Sequence, residues 1–378
     1  MKLRERTIFQ LPRRLFLLFD YLFWLFVDPS KFETINSAKV KKVLVVHLGA
    51  IGELIAMTPV ISALKKELNC DIKILVEKGK EGILRENPYI TKTLSYTNSF
   101  DEDLKTLKRE NFDLSVILNP GSFKMAYLCY CAGINYRIGG FGGVKRFPPI
   151  LYTRRSFPGY QRHAVESSLD VIRQIHIKSK DPKMEFYFSE DTKKRAEEKL
   201  KKLRVRDYVI IHPCFDKKEI HSFRLWPARR YHKVIDFILN NYNLDVILTG
   251  TEEEADFSKE IFNGIKNKER VRLTNGLFSF DELGVILSNA KLLIAPGTSI
   301  IHMAAALDVP IVNMIPQKRD LYEWRPWMRR GRFKVLFSNK MKFNPNVPKD
   351  FANEGLLEVS AEDVIKWAEK LLKDHKTI

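Results

Sequence analysis

Residues 43–59, VLVVHLGAIGELIAMTP, carry the reading of the fold. The run VLVV is apolar without alternation, the signature of a strand covered on both faces of a parallel sheet. It ends at His47. Gly49 and Gly52 follow, and permit a tight turn with close approach of a ligand. An apolar helical pattern then begins at once. The turn is not GxGxxG, and no Lys-Ser/Thr follows it, so neither a dinucleotide fingerprint nor a P-loop is present. Thr58-Pro59 should kink or break the helix. Glu53 falls in its first turn. There a carboxylate either complements the helix dipole or serves as a general base for an attacking hydroxyl. The residue alone does not choose between these.

Outward from this unit, strand and helix alternate. DIKILV (71–76), KTLSY (92–96) and FDLSVIL (112–118) read as further strands. A fresh series begins at YVIIHP (208–213) and continues through DVILTG (245–250), VRLTN (271–275), KLLIAP (291–296) and PIVNMI (310–315), each followed or preceded by a helical pattern. Two successive α/β series imply two doubly wound, Rossmann-like domains facing across a cleft, with ligands outside the carboxyl ends of the strands. The expected divisions are residues 1–40, a basic and apolar helical segment; 41–200, an N-terminal domain; 201–345, a C-terminal domain; and 346–378, a C-terminal helix packing back on the N-terminal domain. Residues 190–204, EDTKKRAEEKLKKLR, read as a solvated connecting helix. Ser360-Ala-Glu-Asp363 resembles a capping box at the start of the last helix.

The 378 residues carry a formal net charge of +18, and the isoelectric point is about 9.6. Such a surface favours an anionic partner: nucleic acid, a phosphate-rich substrate or an anionic membrane. Four cysteines, Cys70, Cys129, Cys131 and Cys214, form no CxxC pair and read as free thiols in a reducing compartment. No metal site is expected. Residues 15–27, LFLLFDYLFWLFV, follow a basic stretch. Thirteen helical residues reach about 20 Å, short of the roughly 30 Å hydrocarbon core, so a transmembrane span is not expected. The segment is either an interfacial helix at a membrane surface or a helix packed on the protein's own core.

The second series carries further chemistry. In KLLIAPGTSIIHMAAAL (291–307), a strand leads through Gly297, Thr298 and Ser299 into a helix whose exposed N–H groups suit a diphosphate. His302 lies one turn in. Arg224, before Trp226-Pro227, has the planar fork that pairs with phosphate. Glu253 and Glu254 follow DVILTG, where a carboxylate can accept ribose hydroxyls or simply enrich a first helical turn with acid. YRIGGFGGVKR (136–146), with Arg137, reads as a glycine-rich basic loop at the cleft. His163 begins another helix and is expected to line the same cleft.

Gly52-Glu53 with Thr58-Pro59, then Arg224-Leu225-Trp226-Pro227, then Gly297-Thr298-Ser299-Ile300-Ile301-His302-Met303-Ala304-Ala305-Ala306, in this order and spacing, resemble the ADP-heptose:lipopolysaccharide heptosyltransferases of glycosyltransferase family 9. The likeness runs from about residue 42 to residue 340. AGINYRIGG (132–140) and RHAVE (162–166) look familial as well. The resemblance implies a GT-B fold: two Rossmann-like domains, the C-terminal one holding the nucleotide sugar and the N-terminal one the acceptor. It implies an inverting transfer that needs no metal and no cofactor beyond the nucleotide-sugar donor, ADP-linked in the family. It places the general base at Glu53, a donor-phosphate contact at Arg224, diphosphate contacts at Gly297, Thr298, Ser299 and His302, and a ribose-binding acid at Glu253 or Glu254. His47, Gly49, Gly52, Thr58, Arg137 and His163 fall on the acceptor side. Three departures stand out: Glu53 replaces an Asp, Gly297 replaces an Asp, and Ser299 replaces a Gly.

The expected partners are therefore a nucleotide sugar and an anionic glycolipid such as a lipopolysaccharide core. The expected location is the cytoplasmic face of the inner membrane, where the enzyme would be peripheral. Rival readings are a relative that uses another nucleotide sugar for another surface glycan, and a non-catalytic nucleotide-sugar-binding protein. A nucleic-acid binder rests on charge alone, without an RNP, KH or zinc-finger signature, and no nucleic-acid partner is expected.

Overall fold

The computed structural model describes residues 35, 37–118, 122–140, 151–156, 162–213, 225–316, 318–337 and 356–374. The apolar stretch 15–27, Arg224, Cys214 and residues 141–146 lie outside them. The chain forms two compact units. The first is Met1–Gly49, Pro59–Tyr160 and Glu166–Lys180; the second is Ala50–Thr58, Gln161–Val165 and Asp181–Ile378.

The first unit is built on six parallel strands: β1 (Lys42–Val46), β2 (Asp71–Glu77), β3 (Lys92–Tyr96), β4 (Leu114–Ile117), β5 (Tyr136–Gly140) and β6 (Arg154–Ser156), in the order β3-β2-β1-β4-β5-β6. Val43 registers with Ile72 on one side and Leu114 on the other. That central place is why Val43–Val46 are wholly buried and why the run is apolar throughout. The helices met along this half of the chain are α1 (Ile51–Ala56), α2 (Thr58–Leu68), α3 (Phe100–Glu110), α4 (Phe123–Cys131) and α5 (Ala164–Arg173), of which α1 belongs to the second unit. Cys70 and Cys129 are buried free thiols, while Cys131 is half-buried.

The second unit repeats the plan. Its strands are β7 (Tyr208–Ile211), β8 (Asp245–Leu248), β9 (Val271–Leu273), β10 (Leu293–Pro296), β11 (Ile311–Ile315) and β12 (Phe333–Phe337), in the order β12-β11-β10-β7-β8-β9. Counted from its own first strand, this is the order of the first sheet. Its helices are α6 (Glu190–Leu203), α7 (Ala228–Asn241), α8 (Ala255–Asn263), α9 (Phe280–Ser288), α10 (Ser299–Ala306), α11 (Lys318–Glu323) and α12 (Ala361–Asp374).

Four sequence expectations need correction. Residues 50–58, assigned to the N-terminal domain, belong to the second unit, because α1 packs on α10. The charged helix α6 is not a mere connector. It buries Thr192, Ala196 and Leu200 and packs on α9, where the nearly buried Glu282 takes Lys199 at 2.6 Å and Arg195 at 3.5 Å. Residues 136–140 are strand β5, not a loop. Gly139 is there because a Cβ would run into the Tyr152 ring. The last helix, α12, joins the core of the second unit, not the N-terminal domain. Val364, Ala368, Leu371 and Leu372 pack with Tyr231, Ile235 and Ile238 of α7. Its start is as expected on one count: Ser360 Oγ accepts from the Asp363 N–H at 3.0 Å.

Candidate active site

In the second sheet the strand order reverses between β7 and β10, and ligands bind open α/β sheets at that reversal. The chain leaving β10 there is Gly297-Thr298-Ser299. Gly297 is exposed. Thr298 is the N-cap of α10, in extended backbone, but its hydroxyl makes no cap hydrogen bond and is buried without a partner among the described residues. A helix start whose capping hydroxyl is uncommitted is suited to hold an anion. On β11, beside this turn, Asn313 is wholly buried.

Helix α1 lies against α10. A Cβ on Gly52 would stand 2.7 Å from His302 Cδ2 and 3.3 Å from Ser299 Cα. Gly52 is thus a packing glycine that brings the two helices into close approach. Glu53, the next residue, is half-buried in the first turn of α1. The N-cap of α1 is Ala50, which makes no side-chain cap bond. The helix ends at its C-cap, Met57, and Thr58 is the first residue of α2. Thr58 Oγ1 donates to the Ile55 carbonyl at 2.7 Å and accepts from the Glu185 N–H at 2.9 Å. This buried hydroxyl is a structural staple that fixes where α1 stops.

His302 is 6% exposed. Burial, with the nearby His163, pushes its pKa down from 6.5 to about 4, so the imidazole is neutral at physiological pH. The edge of the Trp324 ring meets it, with centroids 5.8 Å apart. His163 Nδ1 accepts from the Val165 N–H at 3.2 Å, and Nε2 lies 2.8 Å from the Arg325 carbonyl. Those contacts require the Nε2–H tautomer. Its ring also stacks at 4.6 Å on Trp327, whose indole N–H donates to the Pro182 carbonyl at 2.7 Å. The stretch Trp324-Arg325-Pro326-Trp327 therefore walls the two histidines. Sequence reasoning passed over it, although two tryptophans three residues apart beside a proline were a legible signal. His212, after β7, was also passed over. Burial pushes its pKa down to about 4.

The other expected site residues stand as follows. His47 is buried at the carboxyl end of β1 in the first unit, and the Gly49 carbonyl accepts from Lys80 Nζ at 2.7 Å. Arg137 is spent on backbone: it donates to the Leu151 carbonyl at 2.6 Å, to Asn135 at 3.0 Å and to Ile134. That makes it a structural brace, not a free anion ligand. Glu254 is nearly buried and accepts the Thr251 N–H at 2.6 Å, closing a capping box, whereas Glu253 is exposed. Among the described residues, no group of His, Cys, Asp or Glu is arranged to hold a metal ion, and no helix is long and apolar enough to cross a membrane.

The profile of glycosyltransferase family 9 (heptosyltransferase) matches residues 103–344. The chain is 29% identical over 341 residues to lipopolysaccharide heptosyltransferase 3 of Escherichia coli K12, covering 85% of this chain and 96% of that one. Its structure resembles that of E. coli ADP-heptose lps heptosyltransferase II with a TM-score of 0.73 at 17% identity, over 89% of this chain and 99% of that one. It also resembles E. coli heptosyltransferase WaaC with ADP-2-deoxy-2-fluoro heptose, with a TM-score of 0.63 at 15% identity, over 87% of this chain and 99% of that one.

Proposed function

The chain belongs to glycosyltransferase family 9 and is a glycosyltransferase, and from that premise we propose that it transfers a heptose from ADP-heptose to a lipopolysaccharide-core acceptor. The names of its relatives support this donor and this acceptor. The reaction is read as inverting and metal-independent. Glu53 takes the proton of the acceptor hydroxyl as that oxygen attacks the anomeric carbon. The diphosphate leaves toward the start of α10, where fixed N–H dipoles and the Thr298 and Ser299 hydroxyls meet developing negative charge. His302 is neutral, so it offers a hydrogen bond and no charge. The positive charge that neutralises the anionic leaving group falls to Arg224. Glu254 or Glu253 meets the ribose. The acceptor is an anionic glycolipid at the cytoplasmic face of the inner membrane, which suits the +18 net charge and a surface-bound rather than membrane-spanning enzyme.

The observation that carries this reading is the seating of α1 on α10, which sets the Glu53 carboxylate one residue from the Gly52–His302 contact. Glu53→Gln keeps the size and removes the base. It should lower kcat by about 10²- to 10⁴-fold, the usual range for a general base, while ADP-heptose still raises the melting temperature as for the parent. Near-parental turnover would remove Glu53 from the mechanism. A relative using another nucleotide sugar is the second reading, favoured by Gly297 in place of the familial Asp. A panel of ADP-, UDP-, GDP- and CMP-linked sugars separates the two.

A further inference from the structure

Asn313 stands in the middle of β11, in the apolar run Ile311-Val312-Asn313-Met314-Ile315, and is 0% exposed. Neither Oδ1 nor Nδ2 has a hydrogen-bond partner among the described residues. Burying such an amide unpaired costs about 1–3 kcal/mol, whereas a leucine of similar size would cost nothing of the kind. Asn313 registers with Ala295 on β10. Gly297 follows directly after β10, in the turn that leads into α10. A Cβ there would sit 3.9 Å from Asn313 Oδ1 and 3.2 Å from Ile315 Cγ2. Gly297 is exposed and has no side chain, so the amide oxygen lies under the turn that starts α10 with no side chain of residue 297 between them. A helix start alone says nothing about a ligand. A fully buried, unpartnered amide directed at it does. The hydroxyl of the next residue, Thr298, is also buried and unpartnered among the described residues.

We propose that Asn313 is a specificity-determining residue that hydrogen-bonds a sugar hydroxyl of the donor through the gap at Gly297. A hydroxyl is the matching chemistry because a carboxamide has both a donor and an acceptor face, and a hydroxyl satisfies either, whereas a phosphoryl oxygen only accepts. Where the family resemblance puts an aspartate, this chain has a glycine, and the polar group beside it comes from the neighbouring strand.

The inference rests on the nucleotide-sugar reading above, and the test separates the two. Calorimetric Kd values for ADP-heptose and for ADP are measured with the full-length parent and with Asn313→Leu and Asn313→Ala, alongside their melting temperatures. Asn313→Leu should melt above the parent, since the buried amide is gone. It should bind ADP-heptose roughly fivefold to tenfold more weakly, the scale of one lost hydrogen bond, and bind ADP unchanged. Asn313→Ala should show the same selective loss even if its core is loosened. Equal weakening toward both ligands would overturn the hydroxyl assignment in favour of a phosphate contact. Unchanged affinity for both would make Asn313 purely structural. A parent that neither binds nor transfers from any nucleotide sugar would overturn the proposed function and this inference with it.

Discussion

His302 illustrates how one buried side chain combines packing, charge and pH. It is pressed against Gly52, where a Cβ would come to 2.7 Å, and burial holds its pKa near 4 against an unperturbed 6.5. A depressed histidine pKa means that the unfolded chain takes up the proton first. The stabilisation is therefore fully present above about pH 6.5 and is lost as pH falls toward 4. Its upper limit is roughly 3 kcal/mol, from 1.36 kcal/mol per pKa unit. His302→Gln should melt lower than the parent at pH 7.5, with a shallower decline in melting temperature between pH 7 and 4.5. Parallel declines for the two proteins would show that His302 does not titrate in this way. The positions of His302 and Glu53, on helices that follow β10 and β1, were legible in the sequence because strand-glycine-helix spacing marks the carboxyl end of a parallel strand. Asn313 was not, since a lone polar residue in an apolar run gives no hint that its amide finds no partner. Arg137 misled for the opposite reason: a basic residue beside glycines looks available until its backbone acceptors are seen.

At the level of elements, the break after α1 is the informative feature. Thr58-Pro59 announced it, and the chain turns at Met57 before α2 begins. Proline supplies no backbone donor, but the position of the stop is set by the Thr58 hydroxyl, which joins the end of α1 to Glu185. Thr58→Val is nearly isosteric and leaves the Ile55 carbonyl and the Glu185 N–H without this partner. It should lower stability by about 1–3 kcal/mol, read as a lower urea midpoint with an unchanged slope. Activity should fall too, because α1 carries Glu53. A midpoint within error of the parent would reduce the hydroxyl to a bystander. The proline was readable and the long-range partner was not: Glu185 is 127 residues away, and no local pattern specifies it. The same limit explains α6. Its charges were plain, but Glu282, the residue that collects Lys199, lies on another helix.

At the scale of the whole chain, two sheets share one strand order without a visible sequence repeat, because apolar runs and glycine turns specify a parallel sheet many ways. The alternation of strands and helices revealed both sheets. It did not reveal that the chain crosses between units at residues 50–58 and 161–165, because crossing depends on which surface a short helix packs against. This membership is testable. Leu371 on α12 is 3% exposed in the core of the second unit, and Leu371→Ala should cost about 2–5 kcal/mol there. Sub-global opening of the second unit then becomes easier, and amide hydrogen exchange reports such openings as cooperative blocks. In the variant, amides of α1 (51–56) should lose protection together with those of α10 (299–306). Amides of β1 (42–46), only a few residues before α1 in sequence, should keep theirs. If α1 instead keeps its protection alongside β1 while α10 opens, the Glu53 helix belongs energetically to the first sheet, and its place beside the start of α10 is not maintained by the second unit.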